Sequence, residues 1–346
     1  MTTSDAKVGS PPGGPTGGRA GTGRAGTPAA PLPGDALTSS PQDVLRAASA
    51  ENFPVSPLIL PARQRQHLFA IYGFARLVDD IGDEASGDRL ALLDALEADL
   101  DRIWGGTPTL PVIQALAPTV RECGLAPEPF RRLVAANRQD QLVTRYDTFD
   151  DLLRYCTLSA DPVGHMVLGV FGVSTPDRVE LSNRVCTALQ IVEHVQDVAE
   201  DYAAGRIYLP REDLDSFGVH ERDLAHPSAG PAVRELIAFQ VLRARRILDE
   251  GTPLVGLVEG RLRLLLAGFV GGGRAALDAV ERAGCDVLGG APTAPKPRIV
   301  RYALAVALTS LTPSARRAAR SARVVLPPLV TGGGIINRPA AGGGGE

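Results

Sequence analysis

Apolar residues recur at intervals of three and four along most of the middle of the chain, the pattern of amphipathic α-helices. No stretch keeps a period of two between hairpin-type turns, so the pattern predicts no β-sheet. Prolines stand near the ends of the periodic stretches, where helices begin or end. We therefore predict an all-α fold with helices at 68–81, 90–103, 130–142, 149–158, 179–198, 232–248 and 262–280.

Two features interrupt these predicted helices. Pro162 lies inside an apolar helical pattern at 155–170, where a proline removes a backbone hydrogen bond and produces a kink. The glycines at 271–273 resemble a phosphate loop, but they follow no predicted strand and lack the spacing of a dinucleotide-binding loop. We interpret them as a place where helices pack closely, and we predict no nicotinamide or flavin site.

Composition divides the chain into a core and two tails. The first 40 residues contain 15 Gly or Pro and no aromatic residue, whereas all 16 aromatic residues lie between Phe53 and Tyr302. A segment that buries little apolar surface cannot offset its conformational entropy. We therefore predict a disordered tail at 1–40, one folded domain at 41–325 and a flexible Gly-rich tail at 326–346.

Charge and cysteine content exclude several classes of protein. The net charge of −3 argues against sequence-independent binding of nucleic acid. The four cysteines are far apart, with no metal-ligand spacing, which is typical of reduced thiols. No apolar run reaches the ~18–20 residues of a membrane span, and the N-terminus has no signal-peptide core. These observations predict a cytoplasmic protein without a transmembrane segment, and they leave open a peripheral association with the membrane.

A first cluster of polar residues lies on the helix predicted at 68–81. At about 100° per residue, Tyr72, Arg76, Asp79 and Asp83 fall within one narrow stripe of the helix surface. We call this the first acidic stripe.

A second acidic stripe lies on the helix predicted at 179–198. Gln190, Glu193, Asp197 and Asp201 share one face at helical spacing. Gly205 is a suitable residue to end this helix, and we expect residues 206–210 to run extended after it.

Each stripe alone has a simple alternative explanation, because acidic residues at helical spacing usually form a solvated face. However, carboxylates four residues apart repel one another, and the other faces of both helices are strongly apolar. A buried row of like charges is unfavourable unless a cation neutralises it. We therefore hypothesise that the two stripes face one cavity and hold a diphosphate through Mg²⁺, which carboxylate, water and phosphate oxygens ligate.

Together these motifs resemble the squalene/phytoene synthase family of class I isoprenoid synthases. The resemblance runs from about residue 51 to residue 298 and implies the all-α isoprenoid synthase fold, one helical bundle around a central cavity. The matching segments are Asn-Phe-Pro-Val at 52–55, Asp-Asp-Ile-Gly-Asp-Glu at 79–84, Ser-Ala-Asp-Pro-Val-Gly at 159–164, the second acidic stripe at 190–201, and Gly-Arg-Ile-Tyr-Leu-Pro at 205–210.

The resemblance also implies roles for individual residues. Four aspartates would ligate Mg²⁺, and two arginines and two tyrosines would bind the diphosphate. For Arg206, a favourable interaction with the C-terminal end of the preceding helix is the alternative. Phe53 would line the hydrocarbon tunnel, and Gln190 and Ser159 would position a water molecule. The implied ligands are Asp79, Asp83, Asp197 and Asp201, and the implied diphosphate partners are Tyr72, Arg76, Arg206 and Tyr208.

Within this family the motifs are most similar to the bacterial hopanoid-pathway type. That similarity implies a Mg²⁺-dependent conversion of presqualene diphosphate to hydroxysqualene, without NADPH, and handoff of the apolar product to a membrane-associated oxidoreductase. The same motifs also suit the condensation of two farnesyl or geranylgeranyl diphosphates. A non-catalytic helical binding protein of the same fold is a further alternative, which two intact acidic stripes disfavour.

One position departs from the family pattern. Many members carry Asn where this chain has Glu193, and we hypothesise that this third carboxylate of the second stripe ligates Mg²⁺ directly. Cys285 stands where a Tyr is common, and the sequence suggests no role for it.

Overall fold

Helices account for nearly all the regular structure in the computed structural model, which describes residues 59–312. Within that range the only paired extended residues are Arg145 and Ile207, which form one isolated parallel β-bridge. This confirms the predicted all-α fold. The α-helices are α1 (Ala62–Asp83), α2 (Arg89–Gly105), α3 (Pro111–Cys123), α4 (Glu128–Asp140), α5 (Phe149–Ser159), α6 (Asp161–Val170), α7 (Pro176–Gln196), α8 (Val198–Ala203), α9 (Arg211–Ser216), α10 (Pro231–Gly251), α11 (Leu254–Leu257), α12 (Gly260–Arg282) and α13 (Lys296–Thr309), with a 3-10 turn at Glu221–Ala225.

Local sequence explains where many of these helices begin and end. Pro111, Pro176 and Pro231 stand in first turns, where a missing N–H removes no helical hydrogen bond. Thr148 begins α5 with a capping box, since its side chain and that of Asp151 each accept a hydrogen bond from the other's backbone N–H.

The expected interruption near Pro162 is confirmed, and it is a break rather than a kink. Helix α5 ends at Ser159 and α6 begins at Asp161, so Pro162 lies in the first turn of a new helix. The N–H of Val163 donates to the carbonyl of Ala160 across the junction at 3.1 Å. The junction therefore separates two helices, and α6 packs against α7.

The glycine run at 271–273 lies inside α12 and serves helix packing, as the sequence indicated. A Cβ at Gly271 would collide with the backbone of Ala303 in α13, so the two helices approach closely at this point. A Cβ at Gly273 would collide with the side chains of Leu189 and Leu248. The absence of side chains thus lets α12 contact helices on two sides.

The apolar core fills the space between these helices. Phe74 is fully buried, and its ring meets that of Phe130 edge to face at a centroid distance of 5.4 Å. No helix within residues 59–312 has both the length and the apolar character that crossing a bilayer requires. The predicted tails at 1–40 and 326–346, and both limits of the predicted domain at 41–325, lie outside the described residues and remain predictions.

Candidate active site

A cavity of about 280 Å³ opens between α1, α4, α5, α7 and the chain that follows α8. Its lining contains five carboxylates from the two acidic stripes, although more than a hundred residues separate these stripes in the sequence. The lining residues are Asp79, Asp83, Leu133, Ala136, Asn137, Asp140, Tyr155, Ser159, Gln190, Glu193, His194, Asp197, Asp201, Arg206 and Tyr208.

Helix α1 contributes the first acidic stripe through its last two turns. Asp79 and Asp83 line the cavity one turn apart. The Nδ2 of Asn137 donates a hydrogen bond to Asp79 Oδ1 at 3.1 Å, and Gly82 leaves the space in which this amide lies. Asp79 is exposed to the cavity, but the surrounding protein partly desolvates its carboxyl and raises its pKa to about 7.

The second acidic stripe crosses a break in the helix. Helix α7 ends at Gln196, two residues before the predicted limit, because Asp197 leaves helical geometry (φ −98°, ψ 14°). Helical hydrogen bonds continue across it: the Asp197 N–H donates to the Glu193 carbonyl at 2.9 Å, and the Asp201 N–H donates to the Asp197 carbonyl at 2.8 Å. Glu193, Asp197 and Asp201 therefore stay on the cavity side. Burial raises the pKa of Asp201 to about 7, although the positive charge of Arg206 opposes the rise.

Arg206 links the two stripes. Gly205 adopts a left-handed conformation (φ +83°), and the Arg206 N–H turns back to the Asp201 carbonyl at 2.8 Å, so the predicted helix end at Gly205 is confirmed. The Arg206 guanidinium then reaches Asp83 Oδ1 at 2.7 Å. Its Nε and the hydroxyl of Ser159 are both buried without a hydrogen-bond partner among the described residues. The cavity thus holds two unused polar groups beside its carboxylates.

Asp140 is a lining carboxylate that the sequence analysis missed. It stands at the end of α4, where its Oδ2 accepts a hydrogen bond from the Tyr155 hydroxyl at 2.7 Å and its Oδ1 accepts one from the Tyr208 hydroxyl at 3.2 Å. Burial raises its pKa to about 6, although the two hydroxyls oppose the rise. Asn137 and Asp140 lie three residues apart on an otherwise apolar helix face, and this spacing was the signal available in the sequence.

His194 also lines the cavity, although no sequence pattern singled it out. Its ring stacks on Tyr208 with centroids 3.8 Å apart, and its Nε2 lies 3.4 Å from the Gln190 amide nitrogen. Burial and the charge of Arg206 lower its pKa to about 3. At neutral pH this histidine is therefore an uncharged part of the wall.

Two predicted binding residues, Arg76 and Tyr72, do not line the cavity in this structure. Arg76 pairs instead with Asp80 at 2.7 Å and Glu84 at 3.2 Å, because these acids lie one and two turns further along its own helix. Tyr72 is half-buried one turn before Arg76. Phe53 lies outside the described residues.

The donor set of the cavity fits Mg²⁺, which prefers oxygen ligands and retains water. The raised pKa values of Asp79 and Asp201 show that their charged forms are unfavourable in the cavity, so a cation would relieve the repulsion. In residues 59–312 no group of three or more His, Cys, Asp or Glu side chains is arranged to hold a metal by itself. A metal ion in this cavity would need additional oxygen ligands, which water and a bound substrate would supply.

These raised pKa values predict a pH-dependent stability. The carboxyls of Asp79, Asp140 and Asp201 bind protons more tightly in the folded chain than in the unfolded chain, where carboxyl pKa values are about 4. Stability should therefore fall as pH rises from about 4 to 7 and then level off. With a chelator present, we expect a higher melting temperature at pH 5.5 than at pH 8. A double Asp79→Asn, Asp201→Asn variant should show a smaller difference, and an unchanged difference would contradict the assignment.

Comparison with known proteins gives the same family as the motifs. The profile of the squalene/phytoene synthase family matches residues 46–301. A hydroxysqualene synthase of Rhodopseudomonas palustris is 37% identical over 213 residues, which are 60% of this chain and 72% of that protein. A phytoene synthase of Arthrospira platensis is 36% identical over 225 residues, which are 60% of this chain and 73% of that protein.

Solved structures extend the similarity to the fold. The squalene synthase HpnC of Alicyclobacillus acidocaldarius superposes with a TM-score of 0.66 and 44% identity, over 72% of this chain and 99% of its own. A dehydrosqualene synthase crystallised with a ligand gives a TM-score of 0.71 and 26% identity, over 78% of this chain and 95% of its own. The helices described above thus follow the isoprenoid synthase fold, and the chain belongs to the squalene/phytoene synthase family.

Proposed function

We propose that the chain is a Mg²⁺-dependent enzyme that ionises a prenyl diphosphate, and that its reaction is the conversion of presqualene diphosphate to hydroxysqualene. One observation carries the proposal: carboxylates from two distant helices face each other across one cavity, with Arg206 between them. A non-catalytic binding protein would have no need to keep these repelling groups together.

Asp79 and Asp83 on one wall, and Asp197 and Asp201 on the other, are the residues that would hold Mg²⁺. When bound, the metal supplies Lewis-acid stabilisation of the diphosphate leaving group. Arg206 would donate hydrogen bonds to the diphosphate oxygens from its unpartnered Nε and from the other N–H groups of its planar guanidinium. This planar arrangement of donors suits phosphate.

The remaining wall residues would control water and protons. Ionisation breaks the carbon–oxygen bond, and the diphosphate leaves with the electron pair. After rearrangement, a water oxygen bonds to the carbocation and one proton is released. Ser159 has a buried, unpartnered hydroxyl in the cavity that would hold this water together with Gln190. Asp140 is the neighbouring carboxylate that would accept the proton, because its raised pKa of about 6 lies close to neutral pH.

The second candidate is the condensation of two farnesyl or geranylgeranyl diphosphates to presqualene or prephytoene diphosphate. Its support is specific: the phytoene synthase of Arthrospira platensis is 36% identical, almost the same as the 37% of the hydroxysqualene synthase. Both reactions begin with loss of diphosphate, so the same carboxylates would serve either one.

A product analysis tests these alternatives. We would incubate the full chain with Mg²⁺ and no NADPH, offering presqualene diphosphate and farnesyl diphosphate separately. Hydroxysqualene from the first substrate and no product from the second is the expected result. Presqualene diphosphate formed from farnesyl diphosphate alone would overturn it in favour of condensation. No diphosphate release from either substrate, or from geranylgeranyl diphosphate, would indicate a binding protein.

The proposed role of Glu193 has its own test. We expect Glu193→Gln to raise the Mg²⁺ concentration needed for half-maximal activity by about tenfold or more, because the amide keeps the shape but loses the charge that attracts the ion. Glu200→Gln is the matched control, since Glu200 is exposed and does not line the cavity. Identical Mg²⁺ titrations for wild type and Glu193→Gln would exclude direct ligation.

A further inference from the structure

The last described helix, α13, has an apolar stripe that faces away from the protein. Val300, Leu304, Leu308 and Leu311 are 55, 56, 65 and 45% exposed. The spacing of Val300, Leu304 and Leu308 places them on one side of α13, and Leu311 follows just after the helix ends at Thr309. Single exposed leucines are common on protein surfaces, but a row of four is a continuous patch. We call these four residues the outer stripe.

The adjoining side of α13 packs on the protein. Val306 and Ala307 are buried, Ala307 beside the outer stripe, and Gly271 of α12 allows the backbone around Ala303 to approach closely. The helix is therefore already anchored by its inner side. The outer stripe is a second apolar surface that this packing leaves uncovered.

Along the sequence around the outer stripe, every charged residue is basic. From residue 287 to residue 345 the sequence contains one lysine and seven arginines and no Asp or Glu, although the whole chain is net −3. On α13, the helical positions of Lys296 and Arg301 flank the outer stripe on its two sides. Further arginines follow the helix in the sequence at 316, 317, 320 and 323.

We propose that the outer stripe docks onto the surface of a lipid bilayer that contains anionic head groups. An apolar face bordered by Lys and Arg is the pattern of helices that lie in the membrane interface. The leucines enter the boundary of the acyl chains, while the basic residues meet lipid phosphates. A second copy of the chain fits less well, because two such faces would bring like charges together. If the proposed function holds, this position also brings the cavity's apolar product close to lipid.

A vesicle sedimentation assay without substrate tests the proposal independently of the reaction. The full chain should sediment with vesicles that contain equal parts of phosphatidylglycerol and phosphatidylcholine. It should bind pure phosphatidylcholine vesicles at least about tenfold more weakly, and high salt should release it from the anionic vesicles. Equal binding to both kinds of vesicle, or binding to neither, would overturn the proposal.

Matched variants locate the surface. Leu304→Ser with Leu308→Ser should weaken binding to anionic vesicles about tenfold or more, whereas Leu242→Ser should not change it. Leu242 is the matched control because it is 55% exposed on α10. Unchanged binding by the double variant would overturn the assignment, as would a concentration-dependent dimer that the double variant abolishes. Diphosphate release by the wild type and the double variant is also measured in detergent. This measurement distinguishes loss of the proposed reaction from loss of membrane binding.

Discussion

Replacing Asp201 with Asn is expected to reduce the rate of Mg²⁺-dependent diphosphate release by about 10³-fold or more. A loss of this size is typical when an enzyme loses a group that stabilises the charge of the transition state. Asp201 lines the cavity on the wall opposite Asp83, and its buried carboxyl has a pKa raised to about 7. Asn keeps the size of the side chain but not the charge that a divalent ion requires. The measurement is the rate of diphosphate release at saturating Mg²⁺.

Folding and activity can be separated in this variant. Because an ionised Asp201 is unfavourable in the metal-free protein, Asn at this position should leave the melting temperature at pH 8 equal to or above that of wild type. Glu200→Gln, one residue away on the exposed side of α8, should retain wild-type rates. An Asp201→Asn enzyme that is folded and within tenfold of wild-type activity would remove Asp201 from the proposed metal site.

Replacing Arg206 with Gln is expected to lower kcat/KM by about 10²-fold to 10³-fold, the usual effect of removing a donor that stabilises developing negative charge. Arg206 is held by the turn at Gly205, reaches Asp83 at 2.7 Å, and has a buried Nε without a partner. Arg206→Lys keeps the charge but not the planar fork, so it should restore only part of the activity. Steady-state kinetics of both variants provide the measurement.

The control for Arg206 is a nearby arginine outside the cavity. Arg211 is 61% exposed in its side chain and lies 3.4 Å from Asp147, so Arg211→Gln should stay within about twofold of wild type. Equal effects at the two positions would show that the Arg206 result reflects general loss of positive charge rather than contact with the substrate.

Local signals in the sequence were sufficient for the helices and for much of the cavity. The three-and-four periodicity predicts the helices, Pro162 predicts an interruption, expected as a kink and found as the break after α5, and Gly205 predicts the end of the second acidic stripe. These features depend on the backbone geometry of a few neighbouring residues, which sequence determines directly. The assignment of both stripes to one cavity came from the cost of burying like charges and from family resemblance.

Features that depend on packing between distant segments could not be read in the same way. Asp140 is recognisable as a site residue only when Tyr155 and Tyr208 meet at its two oxygens. Arg76 shares the first acidic stripe on a helical wheel, yet its long side chain turns to Asp80 and Glu84 instead of the cavity. A helical wheel gives the direction of the Cα–Cβ bond but not the partner that a flexible side chain selects.

The ion pair between Asp83 and Arg206 has a thermodynamic consequence for the order of events in the cavity. One partner belongs to the proposed metal site and the other to the proposed diphosphate site, so either ligand competes with the same 2.7 Å contact. Once the first ligand has weakened this contact, the second binds with a smaller penalty. The two ligands should therefore bind with positive cooperativity, and linkage requires each to increase the affinity for the other by the same factor.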